Sequence, residues 1–485
     1  MKYLTNYKFM PISALKTILF SLLLSTLIIA TTASERKNVL LICVDDLRPE
    51  LNCYGVDYIH SPNIDRLAAS GRAFHNHYVN APTCGASRYS LLTGDYYPEA
   101  KNHALFDRAK QIKDGDRLVR PSLPAWFRQH GYTTTAIGKI SHHPGGLGGK
   151  NWDNPSQVEM PDSWDKNLQP IGEWKHPRGV MHALAEGKIR TATNKLDVFE
   201  AFDGKDHSYP DGLITASTIE EIKTLEASEK PFFLAVGFIR PHLPFGAPKK
   251  YLDYYKDCEL PAIPHPNKPK HPSTWQSSGE FMKYNRWSRN PISDPDFADK
   301  VRRHYAACVS YVDAQIGKVI DQIVRSGLRE NTIVILWGDH GWHLGEYGVW
   351  GKHTLFEESL RSPLIISYAS IDNPGEASKA VVETVDIFPT ICDLAKIPIP
   401  KDREGTNLKS QLKDPECLGH SALAFQRNRI TIRTKEYRLI VHKGGFVELY
   451  NFSDISGVSV NQAKEKPEVV HALTEQLKKR FNWVH

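Results

Sequence analysis

Apolar residues follow two patterns along this chain. Four short runs read as strands: Asn38-Val39-Leu40-Leu41-Ile42-Cys43-Val44, the threonine-rich Thr133 to Ile137, Pro231 to Phe238 and Thr332-Ile333-Val334-Ile335-Leu336-Trp337, all but the second nearly continuous in apolar residues. A strand with one wet face alternates apolar and polar residues. A continuous run fits a strand buried on both faces, as in a parallel sheet covered by helices. Between these runs the signals are helical. Ser61, then Pro62, and Gly71 at the end read as N-cap, first helical position and the residue past the C-terminus. A longer helix is expected through roughly 300–326, just before the fourth run. Strands alternating with helices predict an α/β fold, a large mostly parallel sheet sandwiched by helices.

The pattern changes after residue 404. Arg429–Arg433 and Tyr437–His442 alternate as strands, Gly444-Gly445 supplies a hairpin turn, and Val447–Tyr450 is a third strand. Glu468–Phe481 reads as a closing amphipathic helix. The expected organisation is a main domain over 34–404 and a smaller C-terminal antiparallel α+β domain over 405–485. Stretches 145–210 and 258–297 have weak periodicity. They contain Trp152, Trp164, Trp174, Trp275 and Trp287, more aromatic content than disordered segments carry, so they read as long ordered loops.

Residues 1–33 stand apart. Lys2, Lys8 and Lys16 precede an apolar run from Ile18 to Ala30, and Thr31-Thr32-Ala33 follows. Basic, apolar and then small residues is the order of a signal peptide, and the run is short for a membrane span. The expectation is an exported protein, periplasmic or extracellular, with no stable membrane anchor. The formal charge is +6, three units of which are these lysines, leaving +3 for the remainder. That small excess does not point to nucleic acid. Seven cysteines at irregular spacing do not form a disulfide framework.

The chemistry gathers where apolar runs end. Val44 runs into Asp45-Asp46, Ile137 into Gly138-Lys139 and His142, Phe238 into Arg240-Pro241-His242, and Trp337 into Gly338-Asp339-His340. In open α/β sheets ligands bind beyond the carboxyl ends of the strands. Adjacent carboxylates repel unless a cation compensates, and oxygen donors favour a hard ion such as calcium or magnesium. Pro82-Thr83-Cys84-Gly85-Ala86-Ser87-Arg88 places a cysteine at the head of a predicted helix, with an arginine one turn later on the same face. A helix N-terminus favours an anion, and the arginine is placed to neutralise it. The same residues also fit a buried cysteine and a surface arginine.

These segments together resemble the sulfatases of the alkaline phosphatase superfamily, and most of all the iduronate-2-sulfatase group. The resemblance is carried by Val44 to Pro49, Cys53-Tyr54-Gly55, Ser61 to Asp65, Cys84 to Arg88, Gly138-Lys139, Pro241 to Phe245, Asp339 to Glu346, Trp350-Gly351-Lys352 and Ser362 to Ile365. It implies an alkaline phosphatase-like fold and a formylglycine made from Cys84 by a formylglycine-generating or anaerobic sulfatase-maturing enzyme. It implies one Ca2+ held by Asp45, Asp46, Asp339, His340 and the modified residue 84. Arg88 and Lys139 would hold the formylglycine, and Lys352 and His242 would meet the sulfate and the leaving oxygen. The group's Lys-x-x-His spacing marks His142, while its histidine before proline marks His143, so both stay open. The hydrated aldehyde would attack sulfur, and His242 would protonate the departing sugar oxygen.

An exported enzyme of this kind meets extracellular glycans, so the expected substrate is a sulfated polysaccharide or its oligosaccharides. His343, His103 and Arg240 are the residues expected to contact sugar, because histidine and arginine suit polar, anionic rings. Two alternatives remain open in the sequence: a phosphatase or phosphonate monoester hydrolase of the same superfamily, and a glycan-binding protein with an inactive site.

Overall fold

A computed structural model describes residues 36–116, 118–453 and 458–481. The predicted signal segment lies outside these residues. The main body is built on one eight-stranded sheet. In spatial order its strands are Ser378–Glu383, Arg72–Tyr78, Leu364–Ser367, Thr332–Gly338, Asn38–Val44, Phe232–Phe238, Thr133–Gly138 and Lys166–Leu168. Leu364–Ser367 pairs antiparallel with both neighbours, and all other pairings are parallel. The mostly parallel sheet expected from the apolar runs is therefore present.

The two faces of each central strand enter different cores. Leu40, Ile42, Val44, Leu234, Val236, Val334 and Leu336 pack with helices Pro210–Glu226 and Pro295–Arg325. Val39, Leu41, Cys43, Phe233, Ala235, Ile333, Ile335 and Trp337 pack on the opposite side with helices Leu123–Gln129, Cys84–Thr93 and Ile387–Leu394. This double burial is why the runs show no alternation.

The helix expected after Ser61 spans Pro62–Ala69. Its cap differs from the expectation. The Ser61 hydroxyl turns to the Asp65 carboxylate, and Asp313 of the long helix accepts from the N–H groups of Asn63 and Ile64, at 3.1 and 2.7 Å. A tertiary carboxylate supplies the helix N-terminus with the acceptor that a local side chain usually provides. All seven cysteines are free. No described helix is long and apolar enough to cross a membrane.

The C-terminal sheet has four antiparallel strands, Ala422–Gln426, Arg429–Arg433, Tyr437–His442 and Val447–Asn451. Ala422–Gln426 is an addition to the three strands expected. Helix Pro467–Arg480 lays Leu473 and Leu477 on the core of this sheet. An ionic knot ties the sheet to the main body. Glu383 accepts from Tyr96 Oη, Asn80 Nδ2, the Leu423 N–H and Arg480, and Asp386 pairs with His420 at 2.8 Å.

Burial would lower the His420 pKa, but Asp386 and Glu383 outweigh it and push the imidazole up to about 9. A histidine whose folded pKa lies above its unfolded value of roughly 6.5 contributes its full stabilisation below that value. The contribution is lost as pH rises through about 9. Denaturant unfolding between pH 6 and 10 should show a fall on the order of 2 kcal/mol that the His420→Gln variant lacks. An unchanged pH profile in the variant would remove His420 as the cause.

Candidate active site

Register brings the strand ends to one level. Val44 lies opposite Gly338 and Phe238, and Gly138 lies opposite Gly237. The polar residues that follow therefore leave the sheet side by side. The Asp339 N–H donates to Val44 O at 3.1 Å, and the Lys139 N–H donates to Gly237 O at 2.9 Å. A Cβ at Gly237 would come within 2.0 Å of Lys139 O, so only glycine allows this approach. Asp46 takes a left-handed φ of 57° and donates its N–H to Asp339 Oδ1 at 2.9 Å.

The helix predicted at Cys84 spans Cys84–Thr93, with Thr83 extended at its N-cap. A Cβ at Gly85 would meet Asn102 O at 2.2 Å, which fixes the residue beside the cysteine as glycine. Arg88 is fully buried one turn on. Its guanidinium does not turn to residue 84 as the helix-face argument expected. It bridges Asp45 Oδ1 at 3.3 Å and Asp339 Oδ2 at 3.0 Å, and donates to the carbonyls of Lys139 and Ile140. Lys139 Nζ reaches Asp45 Oδ2 at 2.5 Å.

Cys84 Sγ lies 3.1 Å from His340 Nε2 and 3.4 Å from Lys352 Nζ. Lys352 also bonds Asp46 Oδ1 at 2.8 Å. Burial outweighs both lysines and pushes the Cys84 thiol up to about 12, so the cysteine as encoded is a neutral group. Burial raises Asp46 well above the usual carboxylate range despite Lys352, with the charge of Asp45 adding to the effect. Asp45 is held well below it, because Lys139, His242 and Arg88 overcome burial.

The donor set fits a hard divalent cation. One ligand atom from each of Asp45, Asp46, Cys84 and His340 lies within 4.8 Å of all the others. Asp339 Oδ1 is 3.7 Å from His340 Nε2. His340 donates its Nδ1–H to Gly341 O at 3.0 Å, which leaves the Nε2 lone pair facing the carboxylates. That orientation is typical of a metal-binding histidine.

Above this cluster opens a cavity of about 1200 Å³. Cys84, His142, His242, Lys352 and His103 line it, with Trp152, Trp275 and Trp350. His142 reaches the cavity, and its buried Nδ1 has no partner. His143 instead bonds Glu159 Oε1 through Nδ1 at 2.8 Å and packs against Trp152. His242 donates Nδ1–H to Leu243 O at 2.7 Å and turns Nε2 toward Glu280 at 3.2 Å. Burial and then Lys352 push its pKa down to about 4.

Two expected sugar contacts are placed elsewhere. His343 is fully buried and bonds Thr354 Oγ1 at 2.8 Å. Arg240 is also fully buried, where its guanidinium donates to the carbonyls of Gly246, His242 and Ala183. Both neighbour motif residues in sequence, but their side chains point into the core. The sequence reading missed Glu280, whose carboxylate lies 3.5 Å from Lys352 Nζ and lines the cavity. It sits in the weakly periodic 258–297 stretch, where no spacing singles it out.

Comparisons with known proteins agree with this geometry. The family model described as Sulfatase matches residues 37–397, and that described as N-sulphoglucosamine sulphohydrolase, C-terminal, matches residues 345–483. The chain is 30% identical over 465 residues to iduronate 2-sulfatase of Mus musculus, an alignment covering 83% of this chain and 80% of that one. Among solved structures, a protein in complex with its substrate D-glucosamine-2-N,6-O-disulfate matches with a TM-score of 0.67 at 21% identity, covering 92% of this chain and 98% of the other. The phosphonate monoester hydrolase of Agrobacterium radiobacter matches with a TM-score of 0.70 at 20% identity, covering 92% and 95%. The chain belongs to the sulfatase family of the alkaline phosphatase superfamily and is a sulfuric ester hydrolase.

Proposed function

We propose that this enzyme is a calcium- and formylglycine-dependent sulfatase. Its substrate is a sulfated polysaccharide or the oligosaccharides derived from it, as for an iduronate-2-sulfatase, and it works after export in the periplasm or outside the cell. On this reading residues 34–404 form the catalytic domain and 405–485 a C-terminal subdomain. A formylglycine-generating or anaerobic sulfatase-maturing enzyme converts Cys84. The observation that carries the reading is that Cys84 and Lys352, which line a large cavity, meet the buried His340 and Asp46, with Arg88 and Lys139 paired to the neighbouring Asp45. The relatives named as iduronate 2-sulfatases and the solved complex with a sulfated glucosamine support a sulfated sugar as the ligand class.

Asp45, Asp46, Asp339 and His340, with residue 84, would hold the calcium ion. The ion supplies charge neutralisation for the sulfate oxygens, and formylglycine supplies an oxygen nucleophile that a neutral thiol does not. The chain's own groups do the rest. Lys352 sits between Asp46 and residue 84, where it meets a sulfate oxygen. Lys139 and Arg88 hold Asp45 ionised, and Arg88 fixes Asp339 in place. His242, with Nδ1 anchored on Leu243 O, presents Nε2 to the leaving oxygen; the negative charge of a bound sulfate ester favours the imidazolium, so Nε2 takes up a proton on substrate binding and passes it to that oxygen. Arg240 braces that histidine through its carbonyl at 3.1 Å. His142 is held neutral by burial and then by Lys139, which suits a proton acceptor beside residue 84.

Sulfate and phosphate esters of one alcohol, assayed side by side, test the reading. The sulfate ester should be cleaved faster, and chelation should cut the rate at least about tenfold, with recovery on adding Ca2+. Faster phosphate cleavage would favour the phosphonate hydrolase alternative, whose solved representative shares the fold. Full activity after exhaustive chelation would exclude the calcium site.

A further inference from the structure

We propose that the turn Arg427-Asn428-Arg429, together with Lys443, forms a second anion subsite. It takes an anionic oxo group, a carboxylate or a second sulfate, on the sugar adjoining the one whose ester is cleaved. The inference rests on the sulfatase reading above and deepens it, because it makes the substrate a polyanionic oligosaccharide rather than a small singly sulfated alcohol.

Space is the first argument. The cavity of about 1200 Å³ exceeds the roughly 300–1,000 Å³ of most small-molecule sites, so more than one sugar fits above Cys84. Arg427, Asn428 and Arg429 line this cavity and also an adjoining pocket of about 390 Å³, completed by His442 and Lys443. The turn is thus the wall shared by the two spaces.

Charge is the second argument. Arg427 and Lys443 are exposed, line the adjoining pocket and form no ion pair among the described residues. Arg429 donates Nε–H to His442 Nδ1 at 3.0 Å, and His442 donates Nε2–H to Glu448 at 2.5 Å. That chain of bonds orients the Arg429 guanidinium, whose terminal nitrogens have no hydrogen-bond acceptor among the described residues. Arg190 and Lys283 add two more cations to the lining with no ion pair among the described residues. The lining carboxylates are already engaged, Glu99 by Lys101 and Glu280 by Lys352 and His242. The uncompensated charge of the cavity is therefore cationic, and the turn contributes two of these cations with Lys443 in the adjoining pocket.

Backbone conformation is the third. Gln426 pairs with Arg429, so Arg427 and Asn428 are the two residues of a hairpin turn, and Arg427 has φ 53°. The first position of such a turn with positive φ favours glycine. Arginine there works against the turn, so its side chain is placed for something other than folding.

The test uses the matured full chain and three substrates: an aryl sulfate, a disaccharide carrying one sulfate ester next to a uronate, and the same disaccharide with its carboxyl reduced. The wild type should prefer the uronate disaccharide over its reduced form by about tenfold in kcat/KM at low salt. In the Arg427→Ala/Lys443→Ala double variant that preference should collapse toward unity, mainly through KM. A disulfated disaccharide in place of the uronate tells whether sulfate serves as well as carboxylate. A wild type without preference, or a double variant that keeps it, overturns the subsite. If the wild type releases no sulfate from any substrate, the aryl sulfate included, the sulfatase reading fails and the subsite falls with it. Both substituted residues are solvent-exposed, so thermal unfolding of the variant should match that of the wild type.

Discussion

Cys84→Ala should lower sulfate release by at least about 10⁴-fold and leave the fold intact, because it removes the thiol that the proposed maturation exchanges for the aldehyde oxygen, and little else. Among the described residues the hydrogen-bond partners of Sγ are His340 Nε2 and Lys352 Nζ. Its loss opens a space no larger than one sulfur, a cost of about 1 kcal/mol. No neighbouring side chain is placed to substitute. Lys352 and Lys139 are committed to Asp46 and Asp45, and the cavity histidines have the proposed role of moving protons. Sulfate release measured by ion chromatography, with circular dichroism as the control for folding, decides the matter. Peptide mass spectrometry on the matured wild type should find the thiol at residue 84 replaced by an aldehyde. An alanine variant that retains wild-type turnover would place the nucleophile elsewhere in the cavity.

The part of the fold read directly from the sequence is the part buried most uniformly. Asn38–Val44, Phe232–Phe238 and Thr332–Gly338 show no exposed residue and stood out as continuous apolar runs. Arg72–Tyr78 belongs to the same sheet but reads Arg-Ala-Phe-His-Asn-His-Tyr, and its polar side chains hid it. Arg72 donates to backbone carbonyls and His77 bonds Ser362 O and Thr384, so these groups are satisfied by tertiary partners that no local pattern announces. The candidate site was legible for a similar reason. Its acids and bases sit immediately beyond apolar runs, and parallel register brings them together. What the sequence left unspecified is direction. Arg240 and His343 adjoin motif residues, yet their side chains enter the core. Arg88 was assigned to residue 84 because helix spacing puts them on one face, but two buried carboxylates are stronger partners for a guanidinium than a neutral thiol. Glu280 carries no spacing signal, because a long loop delivers it to the cavity.

Arg88 is where the site and the fold depend on the same atoms, so Arg88→Ala should damage both. The guanidinium is fully buried, spans Asp45 and Asp339, and donates to two backbone carbonyls at the end of the Thr133–Gly138 strand. Removing it strands one carboxylate with only Lys139 and leaves the other without a cationic partner, while two carbonyls lose a donor. Breaking a buried ion pair on one side costs about 3–5 kcal/mol, because the remaining charge stays desolvated. Urea unfolding should therefore move to lower midpoint by an amount in that range, with sulfate release falling to background. Arg88→Lys keeps the charge but not the planar fork, so it should recover part of the stability and little of the activity. The metal site sharpens the test. A divalent cation held, as proposed, by Asp45, Asp46, Asp339 and His340 would compensate the same carboxylates, so the stability lost in Arg88→Ala should be larger after chelation than with Ca2+ present. Equal losses in the two conditions would mean that Arg88 and the cation do not share Asp45 and Asp339, and the ligand set would then have to exclude them.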